Sequence, residues 1–267
     1  MTEPSVVALA RNRATVMEEL RRLIPRLEGP GTLRTPLPFG VAALDSHLPD
    51  GGLTCGALHE IVPATEGAIV AAFGFVSATL ARLIPPSPRA LPLVIVTPSF
   101  GLRPYRRHGR LHGHGLRAVG LDPARVILVE TAHRKETLWA MEEAVRSQAP
   151  AAVLGVIDTL DLKLSQRLHL AATEAGLPLF LLRPASTLEG SAAATRWRVG
   201  NAHAARDRFG LFTRPRWHLQ LERCRNGRPG QWVVEYDHVA HCFSLAAALA
   251  DPAHARGAGE EPIRQAG

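Results

Sequence analysis

Lysine is almost missing from this chain. Among 267 residues there are two, Lys135 and Lys163, although lysine and arginine together number 31 and the formal charge is +7. Phosphate held at a glycine-rich loop normally rests on a lysine ammonium, so any such site here does without one or borrows an arginine. Cysteine is scarce as well. Cys55, Cys224 and Cys242 are odd in number and widely spaced, with no C-x-x-C, which argues against a disulfide framework and a structural zinc site. Gly-x-Ser-x-Gly is absent and no cysteine sits in a nucleophile signature, so covalent catalysis has no support. No run approaches the roughly 18 uninterrupted apolar residues of a membrane span, and no apolar h-region follows the polar start Met-Thr-Glu-Pro. These absences lead to the expectation of a cytoplasmic protein without membrane contact.

What is present is an ordinary globular composition, 46% hydrophobic and 21% charged, long enough for one substantial core with extensions. Positive charge carried by arginine suits bidentate phosphate binding and base stacking. It equally suits a plain arginine-rich surface, and composition does not separate the two. Residues 5–27 place Val6, Leu9, Val16, Leu20, Leu23 and Leu27 at helical spacing, and Gly29-Pro30-Gly31 follows. Residues 1–35 therefore read as an amphipathic helix and linker, 36–245 as the main domain, and 246–267 as a disordered tail.

Within the main domain, apolar runs alternate with helical patterns. Strands are expected over 57–62, 91–97, 125–130, 151–157 and 177–182, and helices over 67–84, 135–148 and 161–175. Unbroken apolar strands separated by helices indicate a parallel sheet covered on both faces. After 184 the pattern changes to alternation, over 195–199, 216–221 and 231–236. Asn226-Gly227 predicts a type I′ hairpin, with positive φ at both residues, and so an antiparallel C-terminal side.

The stretch from Gly56 to Val70 has the layout of a strand, a glycine turn and an Ala-rich helix, the context of a phosphate-binding loop. A working loop reads G-x-x-x-x-G-K-[ST]. Here Ala64, Thr65, Glu66, Gly67, Ala68 and Ile69 supply neither the lysine nor the following hydroxyl, and Glu66 adds a carboxylate where phosphate would sit. The Gly67 turn reads either as a weak anion site at a helix N-terminus or as a bend feeding a packed helix; Glu66 favours the bend.

The segment Leu37-Pro-Phe-Gly-Val-Ala-Ala-Leu-Asp45, with Leu48, Gly51-Gly-Leu53, Gly56 and His59-Glu-Ile61, resembles the lead-in to the nucleotide site of RecA. Joined with Leu138-Trp-Ala-Met-Glu-Glu143, residues 168–182, Thr195-Arg-Trp-Arg198 and residues 223–235, it makes the chain look most like the ImuA family. These are RecA-like accessory proteins of bacterial mutagenic repair cassettes. The resemblance implies a RecA-like α/β fold: a mostly parallel sheet with helices on both faces and an antiparallel hairpin extension. It implies a non-catalytic role in translesion synthesis during the SOS response, with no cofactor. The implied partners are an ImuB-like polymerase-related protein, an error-prone replicative-type DNA polymerase, RecA and single-stranded DNA. The RecA pattern puts a catalytic glutamate after the second strand, where this chain has Thr97-Pro-Ser-Phe100. Its Walker B strand corresponds to 153–157 and leads to Asp158, which reads either as a Mg²⁺-water ligand or, with Thr159, as a helix cap.

Arg196, Trp197, Arg198, Arg206, Arg208, Arg214 and Arg216 form the candidate DNA-binding set, with Phe209 beside them. Arginines can follow a phosphate backbone while rings stack on bases. The same alternation suits a half-buried strand, with Arg196 and Arg198 on one face and Trp197 on the other. His108, His112 and His114 lie in a basic stretch over 105–115, but with glycines between them and no cysteine or carboxylate close by, so no metal is expected. Two rival functions remain. One is a weak ATPase in which Arg89 or a neighbouring subunit's arginine replaces the lysine. The other is a cell-division inhibitor resembling SulA.

Overall fold

The computed structural model describes residues 36–84, 91–98, 111–204, 206, 208, 209 and 211–246. The expected helix over 5–27, Arg89, His108 and the tail beyond 246 lie outside the described residues.

Nine strands build one sheet among the described residues. They are β1 (Leu58–Pro63), β2 (Leu93–Pro98), β3 (Val126–Thr131), β4 (Ala152–Val156), β5 (Leu179–Leu182), β6 (Thr195–Asn201), β7 (Arg216–Cys224), β8 (Gly230–Asp237) and β9 (Cys242–Leu245). Their spatial order is β3-β2-β4-β5-β1-β6-β7-β8-β9. Strands from β3 to β6 are parallel, and β6 to β9 are antiparallel. The expected change of sheet type is therefore real, and it falls on β6, which joins β1 in parallel and β7 in antiparallel.

The helices are α1 (Ala42–Asp45), α2 (Ile69–Leu83), α3 (Gly113–Ala118), α4 (Arg134–Arg146) and α5 (Leu162–Ala175). Alternation sorts the side chains of β1 in two directions. Ile61 joins Phe75 and Val76 of α2, Trp197, Trp217 and Phe243 in one apolar cluster. Leu58 joins Met141 of α4, Leu168 of α5 and Leu181 in the other. Burial on both faces explains why β4 and β5 read as unbroken apolar runs, and why β1 is apolar apart from His59 and Glu60. Glu66–Leu83 is long and apolar enough to cross a membrane by length and composition, but half of it is buried within this fold, as a core helix.

The lead-in segment folds back on itself. Asp45 Oδ1 accepts from the Phe39 amide at 2.7 Å and Oδ2 from the Val41 amide at 3.0 Å, closing the turn ahead of α1. Phe39 then reaches the core, 5.4 Å from the Trp197 ring and 5.7 Å from that of Phe243.

Three features differ from the sequence expectation. The glycines of the basic stretch over 105–115 suit a loop, yet α3 begins at Gly113. Strand β9 carries no strong alternation and went unread. At the β7–β8 turn, Asn226 has φ 61 but Gly227 is not left-handed, so the turn is not type I′. Glycine is required at 227 for closeness instead: a Cβ there would lie 2.4 Å from both the His47 carbonyl oxygen and Cys224 Sγ.

Gly155 of β4 is a second position set by space. A Cβ would fall 1.8 Å from Met141 Sδ, under the buried face of α4. Gly155→Ala should cost about 1–3 kcal/mol by overpacking. Urea unfolding checks this, and the double variant G155A/M141A should be more stable than the two single changes sum to, because they share one space.

Candidate functional site

The loop from Ala64 to Ile69 leaves β1 at Pro63 and is tied to β6 at once, the Ala64 amide donating to the Val199 carbonyl at 2.7 Å. Thr65 is extended, Glu66–Ala68 make one 3₁₀ turn, and α2 starts at Ile69. Ala64, Thr65, Glu66 and Gly67 are exposed, whereas Ala68 and Ile69 are buried. No residue from Pro63 to Ile69 has a positive φ, so the loop lacks the αR–αL pairing that forms one kind of anion nest. Gly67 is not held to glycine: a Cβ there would meet nothing closer than Thr65 Oγ1 at 3.9 Å.

Behind the loop lies a buried ion network that the sequence reading missed. Glu60 sits between Leu181 of β5 and Arg196 of β6, and points to the α4/α5 side. Its Oε1 accepts from Arg183 Nη1 at 3.0 Å and its Oε2 from Arg196 Nε at 2.7 Å. Arg183 also reaches Glu189 Oε2 at 3.3 Å, and Arg196 Nη2 donates to the Glu189 carbonyl at 2.7 Å. Glu60 and Arg183 are both 0% exposed. Burial pulls the Arg183 pKa below its ordinary value, and the Glu60 charge opposes that pull. A lone glutamate inside an apolar strand was the available signal, since a buried carboxylate demands a cation.

On the opposite side of β1, His59 Nε2 faces the Thr54 carbonyl at 3.0 Å, so it carries the proton. Its Nδ1 then accepts from Thr195 Oγ1 at 2.8 Å, and Thr195 Oγ1 accepts from Trp197 Nε1 at 3.0 Å. Burial lowers the His59 pKa from 6.5 to about 4; the Thr54 carbonyl raises it and His169 lowers it further.

The candidate DNA-binding residues divide sharply. Trp197 is 1% exposed and packs against Phe39 and Phe75, so the base-stacking role assigned to it is corrected: its ring belongs to the core. Arg196 is committed to Glu60. Arg198 is bound to Glu222 and also donates to the Ala185 carbonyl at 3.4 Å. Arg216 donates to Glu235 Oε2 through Nε at 3.1 Å and Nη2 at 3.0 Å. Arg214 bridges Glu235 Oε1 at 3.0 Å and Asp237 Oδ2 at 2.7 Å. Burial alone would raise the Glu235 pKa, but the bonds from Arg214 and Arg216 bring it below its ordinary value. Arg206 and Arg208 are placed differently, in the exposed β6–β7 connection. Their guanidinium carbons stand 4.4 Å and 4.7 Å from the ring centroids of Phe212 and Phe209.

Asp158 follows β4, which β5 separates from β1. It is exposed, and its Oδ1 accepts from the Thr159 amide at 2.7 Å. The cap of α5 is neither Asp158 nor Thr159 but Asp161, whose Oδ1 accepts from the Leu164 amide at 2.7 Å. His112 and His114 stack at 5.0 Å, and no group of three potential metal ligands occurs among the described residues.

No family model matches the chain. Two proteins called Protein ImuA, from two strains of Caulobacter vibrioides, are each 34% identical to it over 240 residues, covering 82% of this chain and 93% of the relative. The aligned region takes in nearly the whole length of those proteins, so the likeness is not that of one borrowed motif. The chain belongs to the ImuA family.

Proposed function

We propose that this chain is a non-catalytic accessory protein of damage-induced translesion DNA synthesis. It holds an ImuB-like polymerase-related protein and an error-prone polymerase together, with RecA as a further partner. The observation that carries the reading is family membership, 34% identity across 82% of the chain. The site supports it. The loop from Ala64 to Ile69 has no lysine, no residue of positive φ and an exposed Glu66. Arg183, just after β5, and Arg196 and Arg198 of β6 are bound to Glu60, Glu189 and Glu222. The parallel sheet with β1 feeding this loop and α2 agrees with a RecA-like ancestry that has lost nucleotide chemistry.

Calorimetry with ATP and Mg²⁺ at high protein concentration tests the non-catalytic part, and should give no saturable heat. A saturable isotherm would put the weak-ATPase reading in front. Affinity capture from DNA-damaged cells should recover the ImuB-like protein, the polymerase or RecA; recovery of the division tubulin instead would favour the SulA-like reading.

A further inference from the structure

Strand β3 is one border of the sheet, and among the described residues no strand lies beyond it. The apolar layers of the core run out to this border uncovered. In register, Val94 of β2 lies beside Ile127 and Ile95 beside Leu128. Val94 is 8% exposed and Ile95 1%, but Ile127 is 50% exposed and Leu128 41%. The two point to opposite faces, Ile127 with Val94 to the side of α4 and Leu128 with Ile95 to the side of α2. Both layers therefore stop at β3 as they would inside a wider sheet.

Open edges are ordinarily guarded by a proline, a lysine, a bulge or a very short strand. None of these occurs in Val126-Ile-Leu-Val-Glu-Thr131, which keeps a regular six-residue register with β2. Its one charged residue, Glu130, stands past the exposed apolar pair. The opposite border, β9, is only four residues long.

We propose that β3 is a self-association edge, pairing antiparallel with β3 of a second copy about a twofold axis. The proposal goes beyond the scaffold reading and does not depend on it. The strand itself selects this occupant, because it matches its own copy in one register. Directly opposed residues of an antiparallel pair share a face, so a twofold that continues both layers passes through a residue, not between two. Centred on Leu128, the pairing sets Leu128 against the partner's Leu128 and Ile127 against the partner's Val129. All the exposed apolar surface of the strand then meets apolar surface, and each Glu130 faces the partner's Val126, so like charges stay apart. Centring on Val129 would oppose Leu128 to Glu130 and Ile127 to Thr131, apolar to polar. Centring on Ile127 would draw in Ala124 and Arg125, which belong to a 3₁₀ turn. Such an interface is isologous, so assembly closes at two copies. One strand pair is a small contact, and the association is correspondingly weak and concentration-dependent.

Sedimentation equilibrium of the full chain over a concentration series tests this, with L128K, L128E and their equimolar mixture. Position 128 is exposed, and unchanged thermal melting verifies that each variant folds. The unaltered chain should show a monomer–dimer equilibrium. Each variant alone sets like charges directly opposite one another across the twofold and should weaken dimerisation about tenfold or more, less so at high salt. The mixture should dimerise more tightly than either variant alone, because lysine then faces glutamate. An unaltered chain that stays monomeric at its highest soluble concentration overturns the proposal. Dimers of undiminished affinity in both variants overturn it by placing the contact elsewhere. A mixture no tighter than its components overturns the twofold register, and growth beyond the dimer replaces it with a head-to-tail contact.

Discussion

Replacing Glu60 with glutamine should destabilise the fold by about 3–5 kcal/mol, the cost of leaving a buried charge without its counter-ion. Arg183 has no solvent to fall back on, being 0% exposed, and its Nε has no partner among the described residues. Its other anion, Glu189, is half exposed and 3.3 Å away, which makes it a weak substitute. Glutamine keeps the shape and one carbonyl acceptor of Glu60, so the loss reports charge, not volume. Equilibrium urea unfolding measures it. The double variant E60L/R183L should recover most of the stability, because removing both charges also removes their desolvation cost. A loss below about 1 kcal/mol for E60Q would mean that Glu189 suffices and that Glu60 is dispensable. The network also explains the long connection from β5 to β6. Arg196 holds the Glu189 carbonyl, Arg223 the Ser191 carbonyl, and Ser165 of α5 the Ala192 amide at 3.0 Å, so this connection is tied to β6, β7 and α5.

The second large effect is acid sensitivity through His59. Its folded pKa is about 4 against 6.5 for the free side chain, because burial disfavours the charged ring. Between those values the unfolded chain binds a proton that the folded chain does not. Stability is therefore fully present above pH 6.5, declines as the pH falls through this window, and has lost the whole contribution near pH 4. The drop amounts to about 3 kcal/mol at 1.36 kcal/mol per unit. Urea unfolding of the unaltered protein and His59→Gln over this range isolates it, since carboxylate titrations common to both cancel in the difference. That difference should change by about 3 kcal/mol across the window. A flat difference would mean that the ring is protonated or solvated in the folded state. The partners of His59 make protonation costly in a second way: Nδ1 accepts from Thr195, and an imidazolium cannot accept.

Much of the architecture was open to reading from residues alone, because local order suffices for it. Apolar runs at 57–62, 151–157 and 177–182 lie within one or two residues of β1, β4 and β5. The missing lysine, the odd Glu66 and the place of the Asn226-Gly227 turn, though not its type, are likewise local. Caps are less secure: Asp158, Thr159 and Asp161 all have the chemistry, and only the path of the backbone selects Asp161.

The chemistry of the arginines belongs to the other class. Strand alternation alone put Arg196 and Arg198 on one face and Trp197 on the other, and the structure agrees. Whether that face meets DNA or carboxylates depends on register, and register joins residues far apart in the chain. Glu60 and Arg183 are 123 positions apart, and Glu60 and Arg196 are 136 apart. By itself the sequence determined a parallel sheet turning antiparallel, a strand–turn–helix loop without a lysine and an excess of arginine, since each is a property of neighbouring residues or of totals. Tertiary structure alone decided which carboxylates hold Arg196, Arg198, Arg214 and Arg216, because a charge is neutralised by whatever the fold brings within about 3 Å of it.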